Sequence, residues 1–245
     1  MTELLVARLE SHMSLEPTDR AGLLALPAQL RQFSTRNATL AGKLLDNHVH
    51  VIDDGFACRY RDLPDGRRQI LSILVPGDVI DLRQFVLGGA QPLMAVLSPL
   101  SMNAIPNGSL LKLLETSPRA TRALWSTTLV EESISREWLV SIGKRSALER
   151  VAHLLCEIYL RLAAVGRNTG SRFPLPLTQS ELADVLGLST VHVNRTLQAL
   201  RKSGLIAFQS GMVELFDFDA LAALGLFAPG YLHLREPGKP RPVLV

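Results

Sequence analysis

A chain of 245 residues that is 47% hydrophobic and 20% charged has room for two modest domains and the balance of a soluble globular protein, so disorder is not the expectation. Its formal net charge of +3 is compatible with a nucleic-acid partner without demanding one. Cys58 and Cys156 stand far apart with no CxxC or zinc-type spacing, which argues against a disulfide framework and fits a reducing cytoplasm. The opening MTELLVARLESHMSLEP lacks a basic segment followed by an uninterrupted apolar core, and no later run reaches the length of a membrane span. A cytoplasmic protein with no membrane partner is the expectation.

Residues 1 to about 30 read as helical. Leu4, Leu5 and Leu9, then Leu23, Leu24 and Leu26, form apolar stripes, with Glu16-Pro17 and Leu26-Pro27 as breaks. From about Gln32 to Ile105 the texture turns to short β-rich runs. Residues 39–45, 48–52, 57–61, 69–74, 94–97 and 102–105 are the expected strands, and Asp53-Asp54-Gly55 and Leu63-Pro64-Asp65-Gly66 the clearest hairpin turns. Many short strands at this spacing predict a jelly-roll or barrel.

Residues 109–142 are helix-forming apart from a break at Ser117-Pro118. Val130, Ile134, Trp138 and Ile142 recur every fourth residue on a surface otherwise carrying Glu131, Glu132, Arg136 and Glu137. Such a stripe needs a partner. Its place between two domains points to a dimer seam, with packing on the chain's own β domain as the alternative. Gly143 interrupts the run and is a candidate hinge. Ser146 with Glu149 then forms a capping box that starts a helix through Leu162, and residues 166–172 read as a polar loop.

Two short helices can be drawn residue by residue on 177–206. Thr178 and Glu181 form a second capping box, Leu182, Ala183 and Leu186 give one apolar face, and Gly187 falls where the chain needs a positive φ to leave the helix. Ser189 can cap the next helix, in which Val193, Leu197 and Leu200 pack inward and Thr190, Val191, Asn194, Arg195 and Gln198 face out. This is a helix-turn-helix pattern. An α-helix fits the major groove, where arginine can donate twice to guanine and asparagine can pair with adenine. Gly204 ends the second helix, and residues 205–208 and 212–215 around Ser210-Gly211 read as a hairpin wing. Beyond Phe227 the segment APGYLHLREPGKPRPVLV reads as a flexible tail, whose Arg235, Lys239 and Arg241 would add weak phosphate attraction.

Two of these stretches resemble the Crp/Fnr family of bacterial transcription regulators. ACRYRDLPDGRRQILSILVPGDVIDL (57–82) is similar to the middle of that family's sensor β-roll, and LTQSELADVLGLSTVHVNRTLQALRKSGLI (177–206) to its winged helix. The resemblance covers nearly the whole chain up to about Phe227. It implies an α+β protein with an N-terminal jelly-roll, a cyclic-nucleotide-binding-like β-roll (residues 1–108), a long dimerisation helix (109–143), a C-terminal winged helix-turn-helix (144–227) and a tail (228–245). It also implies a homodimer rather than an enzyme, with Val130, Ile134, Trp138 and Ile142 as the seam, binding a near-palindromic site on double-stranded DNA and contacting RNA polymerase. The DNA-facing set is then Thr178, Ser189, Thr190, Val191, His192, Asn194, Arg195 and Gln198. Arg195 matches the family's arginine as the guanine reader, whereas His192 reads as a helix-surface member. Val191 departs from the pattern, because many relatives carry a glutamate there that accepts from cytosine, and valine can offer only an apolar contact.

The sensor departs as well. The family's cyclic-nucleotide binders hold the phosphate with an arginine-serine or arginine-threonine pair, and the region from Asp81 through Arg83 to Met94 has none. The cluster-holding cysteines of its oxygen sensors are also missing, leaving Cys58 as a buried strand residue or a lone redox thiol. No cofactor and no metal are expected, and the effector is unassigned or absent. Two other readings stand beside this one. His48 and His50 share a strand face with Asp54 following, which is how a cupin-like metal-dependent enzyme begins a metal site, although His12, His153, His192 and His233 all lie outside the expected barrel. The second is a dimeric interaction module that does not bind DNA.

Overall fold

The computed structural model describes residues 2–40, 47–80, 82–88 and 93–235. Helices α1 (Glu3–Glu10) and α2 (Pro17–Leu24) open the chain. Pro17 starts α2 rather than breaking a helix, since its missing N–H has no partner to lose in a first turn, and Glu16 and Asp19 cap that turn reciprocally.

Strands β1 (Gln29–Phe33), β2 (Thr39–Leu40), β3 (His48–Asp54), β4 (Ala57–Asp62), β5 (Arg68–Leu74) and β6 (Val79–Ile80), a short helix α3 (Leu82–Leu87), and strands β7 (Leu93–Val96) and β8 (Leu100–Pro106) build the roll. Two antiparallel sheets, ordered β1-β8-β3-β6 and β2-β7-β4-β5, enclose Leu40, Ile52, Leu74, Ile80, Met94 and Met102. The strand expected over 39–45 is seen as β2, and 41–46 lie outside the described residues. Gly55 turns β3 into β4 at a φ of +84°, and a Cβ there would stand 2.0 Å from the Pro99 carbonyl oxygen, so only glycine fits.

After the roll come α4 (Asn107–Thr116) and α5 (Pro118–Lys144), separated by Ser117, whose hydroxyl accepts the Ala120 amide at 3.0 Å. Helix α5 runs through Gly143 and stops at Arg145, which is extended with a ψ of 145°. The break expected at Gly143 therefore falls at Arg145. An exposed helical glycine costs stability without forcing a break, and nothing lies within 4 Å of where its Cβ would be. Gly143→Ala is expected to raise stability by about 0.5–1 kcal/mol, read as a small rise in Tm with operator affinity unchanged.

Helix α6 (Ala147–Ala163) starts from the expected Ser146/Glu149 capping box. Strand β9 (Arg172–Pro174), helices α7 (Gln179–Leu186) and α8 (Thr190–Lys202), strands β10 (Ile206–Gln209) and β11 (Met212–Leu215) and helix α9 (Phe218–Leu224) follow. The wing has three strands, ordered β10-β11-β9; β9 was hidden in the sequence because three residues ending in proline carry no alternation. The segment expected to be a flexible tail begins as a docked 3-10 turn, Pro229–Leu232, with Leu232 only 1% exposed. The Arg235 amide donates to the Ser11 carbonyl at 2.8 Å, which ties this residue to the end of α1. Lys239 and Arg241 lie outside the described residues.

The two halves share one apolar core. Cys58, Ile70 and Ile73 of the roll belong to the same cluster as Leu155, Leu182 and Val213 of the winged helix. A buried polar network crosses the same boundary. Asp78 pairs with Arg8 of α1 at 3.1 Å and with Arg161 of α6 at 2.6 Å. Arg161 also reaches Glu157 at 3.2 Å and donates to the Ile73 carbonyl at 2.9 Å. Glu157 accepts from the Trp138 indole at 3.0 Å and the Tyr231 hydroxyl at 2.8 Å. Burial pushes its carboxyl upward in pKa, and Arg161 and the two donors oppose that shift.

Candidate nucleic-acid interface

The start of α7 is fixed by its own sequence. Thr178 Oγ1 accepts the Glu181 amide at 3.2 Å, and Glu181 Oε2 accepts the Thr178 amide at 2.7 Å. Gly187 takes the left-handed conformation at a φ of +62° and sends its amide back to the Ala183 carbonyl. Ser189 then caps α8 by accepting the His192 amide at 3.3 Å. Val193, Leu197 and Leu200 are buried, which fixes the rotation of α8 about its axis. Thr190, Val191, His192, Arg195 and Gln198 are consequently exposed on it, together with Thr178 and Ser189 at the two helix starts, while Asn194 is half-buried.

Asn194 donates its amide to Gln179 Oε1 at 3.1 Å. Gln179, the exposed first residue of α7, was not among the expected site residues. A polar side chain at a helix start gives no sequence signal that it will reach across to the neighbouring helix. Arg195 forms no ion pair among the described residues, so its guanidinium is available at the surface. On the wing, Arg172 is paired with Glu214 at 2.9 Å, and Arg201 donates to the Phe208 carbonyl at 2.6 Å.

The expected seam residues are placed differently. Val130 and Trp138 are 7% and 8% exposed, buried within the protomer, and Ile134 is half-buried against the same core. Ile142 lies beside Gly187 of the winged helix. The apolar side chains that α5 leaves in the open are Trp125, Leu129, Leu139, Val140 and the expected Ile142. Val130, Ile134 and Trp138 do keep to one face of α5, but that face is turned onto the protomer's own interior, the alternative that a stripe of this kind leaves open. By contrast Trp125, Glu132 and Leu139 recur every seventh residue, with Leu129, Arg136 and Gly143 four residues beyond each. These positions share one heptad-spaced face, apolar at Trp125, Leu129 and Leu139 and occupied by the Glu132–Arg136 pair between them.

Inside the roll, Arg59 of β4 pairs with Glu131 of α5 and also reaches the Ser72 hydroxyl at 3.5 Å. The neighbouring cavity is about 50 Å³, lined by Arg8, Ser72, Asp78, Glu131, Trp138 and Arg161 among others. Arg83 is exposed on α3, and residues 81 and 89–92 lie outside the described residues. Burial pushes the Cys58 thiol up to about 11 despite the Arg68 guanidinium 3.5 Å away, which favours the protonated thiol. His48 and His50 have ring centroids 6.1 Å apart, with His50 buried and Asp54 exposed. Among the described residues no three histidine, cysteine or carboxylate side chains gather to hold a metal, and none of the helices is long and apolar enough to cross a membrane.

Residues 149–224 match the model of a Crp-like helix-turn-helix domain. The nitrogen fixation regulation protein FixK of Bradyrhizobium diazoefficiens is 30% identical over 195 residues, covering 78% of this chain and 81% of that protein. The transcriptional activator protein FnrL of Cereibacter sphaeroides is 34% identical, covering 74% of this chain and 73% of its own. Among solved structures, FixK2 from Bradyrhizobium japonicum superposes with a TM-score of 0.69 at 26% identity, over 81% of this chain and 98% of that one.

Proposed function

The chain belongs to the Crp/Fnr family of DNA-binding transcription regulators, and from that premise we propose that it acts as a homodimer whose two α8 helices enter successive major grooves of a near-palindromic operator. The observation that carries this reading is the exposed face of α8, presented by a capped α7 and a buried inner stripe. Thr190, Val191, Asn194, Arg195 and Gln198 read the bases, and the amides at the starts of α7 and α8, beside Thr178 and Ser189, meet phosphates.

Arg195 is the guanine reader, and Val191 favours a base pair with a thymine methyl where a glutamate would choose cytosine. The dimer closes through Trp125, Leu129, Leu139 and Val140. The roll acts as a sensor-like domain tied to α5 by the Arg59–Glu131 pair, and RNA polymerase is the further partner that a regulator of this kind needs.

Selection of bound genomic fragments tests the reading. It should return paired half-sites about one helical turn apart. Arg195→Ala should then lose about 1–3 kcal/mol of specific binding and relax preference at a single base pair. A uniform loss across all sequences would make Arg195 a phosphate contact instead.

A further inference from the structure

We propose that Arg36 and Gln69 of the β-roll are positioning residues for DNA reading, gripping α7 at its two ends so that the roll, rather than the end of α5, sets the tilt of α8. The proposal rests on α8 being the reading helix. Arg36 stands in the turn between β1 and β2. Its guanidinium donates to Glu181 Oε2 at 2.6 Å and to the Pro176 carbonyl at 2.9 Å. Glu181 is the buried carboxylate that also accepts the Thr178 amide and hydroxyl. One arginine of the roll thus holds the atoms that begin α7.

Gln69 of β5 acts at the other end. Its Nε2 donates to the Asp184 carbonyl at 2.7 Å and lies 3.4 Å from that of Val185. Both carbonyls belong to the last turn of α7, where a helix leaves its acceptors without internal donors. The carbonyl of Leu186 is taken separately by Arg150 at 2.9 Å. Between these ends, Cys58, Ile70 and Ile73 of the roll and Leu182, Val185 and Leu186 of α7 lie in one apolar cluster. Helix α8 follows α7 through its buried stripe and the Gln179–Asn194 bond. The covalent route from α5, by comparison, passes through the two extended residues Arg145 and Ser146.

A two-fold site fixes both the separation and the phase of two reading helices. One base pair added between half-sites moves one of them by about 3.4 Å and rotates it by roughly 35°. A gripped α7 cannot follow that displacement, and a released one can.

The test uses the full chain and the operator recovered from genomic fragments. Affinity is measured for that operator, for versions with one base pair added or removed between the half-sites, and for versions with a base changed inside a half-site. In the double variant Arg36→Ala, Gln69→Ala, discrimination against altered spacing should fall by about fivefold or more, while discrimination within a half-site stays as in the unmodified protein. Arg36→Lys should restore part of the spacing discrimination, because an ammonium can still pair with Glu181. Unchanged spacing discrimination, or an equal loss on every DNA, would overturn the proposal. A chain that selects no DNA at all would instead refute the reading of α8 on which it rests.

Discussion

Arg161→Met is expected to destabilise the folded chain by about 3–5 kcal/mol, because it leaves two buried carboxylates without the cation they share. Methionine keeps much of the apolar stem, so the loss reports on charge rather than volume. Among the described residues, Asp78 would retain only Arg8 as a cation, at 3.1 Å, and Glu157 only the neutral donors of Trp138 and Tyr231. Glu157 is already raised by burial, and removing Arg161 raises it further. A carboxyl raised in the fold holds its proton more tightly there than in the unfolded chain, so its contribution is kept at low pH and lost as pH rises. The destabilisation should accordingly be smaller near pH 5 than near pH 8. Urea unfolding at the two pH values measures this. A midpoint that does not move would mean that Arg161 contributes no net stability. Arg161→Lys should fall between, since a point charge cannot bridge Asp78, Glu157 and the Ile73 carbonyl together.

The parts of the fold that were legible in the sequence are those decided within about one turn of chain. The boxes at Thr178/Glu181 and Ser146/Glu149 and the left-handed Gly187 depend on atoms a few residues apart, and the structure places each where the spacing predicts. The outward set on α8 follows for the same reason, since the inner stripe of Val193, Leu197 and Leu200 fixes the rotation of the helix. What depends on the packing of distant elements was not legible. Trp138 looked like a seam residue because nothing near it in sequence announces Glu157, whose carboxylate takes the indole proton. The docked turn at Tyr231 was hidden in a proline- and glycine-rich stretch, because its partners His153 and Glu157 lie on α6. The network joining Arg8, Asp78 and Arg161 draws on three separate elements and has no local signature. Gly143 misled in another way: the break at Arg145 is imposed by the Ser146 cap that follows, and a glycine in a long helix is a cost the helix tolerates.

The inward turn of Trp138 also determines which substitution should separate two copies of the chain. Leu139→Glu is expected to leave the protomer folded and to abolish pairing. Leu139 is 73% exposed, so the fold of one chain has little to lose there. In a parallel two-fold seam, equivalent positions meet, and two glutamates would face each other among the side chains of Trp125, Leu129 and Val140. Each protomer would then hold one half-site alone, and the gain from linking two reading helices, on the order of 10²- to 10⁴-fold, would be lost from operator affinity. Sedimentation should give a monomer that unfolds cooperatively, with binding to an isolated half-site unchanged. A Trp138 substitution should behave in the opposite way. Trp138→Ala opens a cavity and removes one of the donors to Glu157, which keeps Arg161 and Tyr231, so stability should fall by about 3–5 kcal/mol while the exposed face of α5 stays intact. If Leu139→Glu remains a dimer of full affinity, the seam does not run along Trp125, Leu129, Leu139 and Val140. The two substitutions together separate the side of α5 that holds its own chain from the side offered to a second copy.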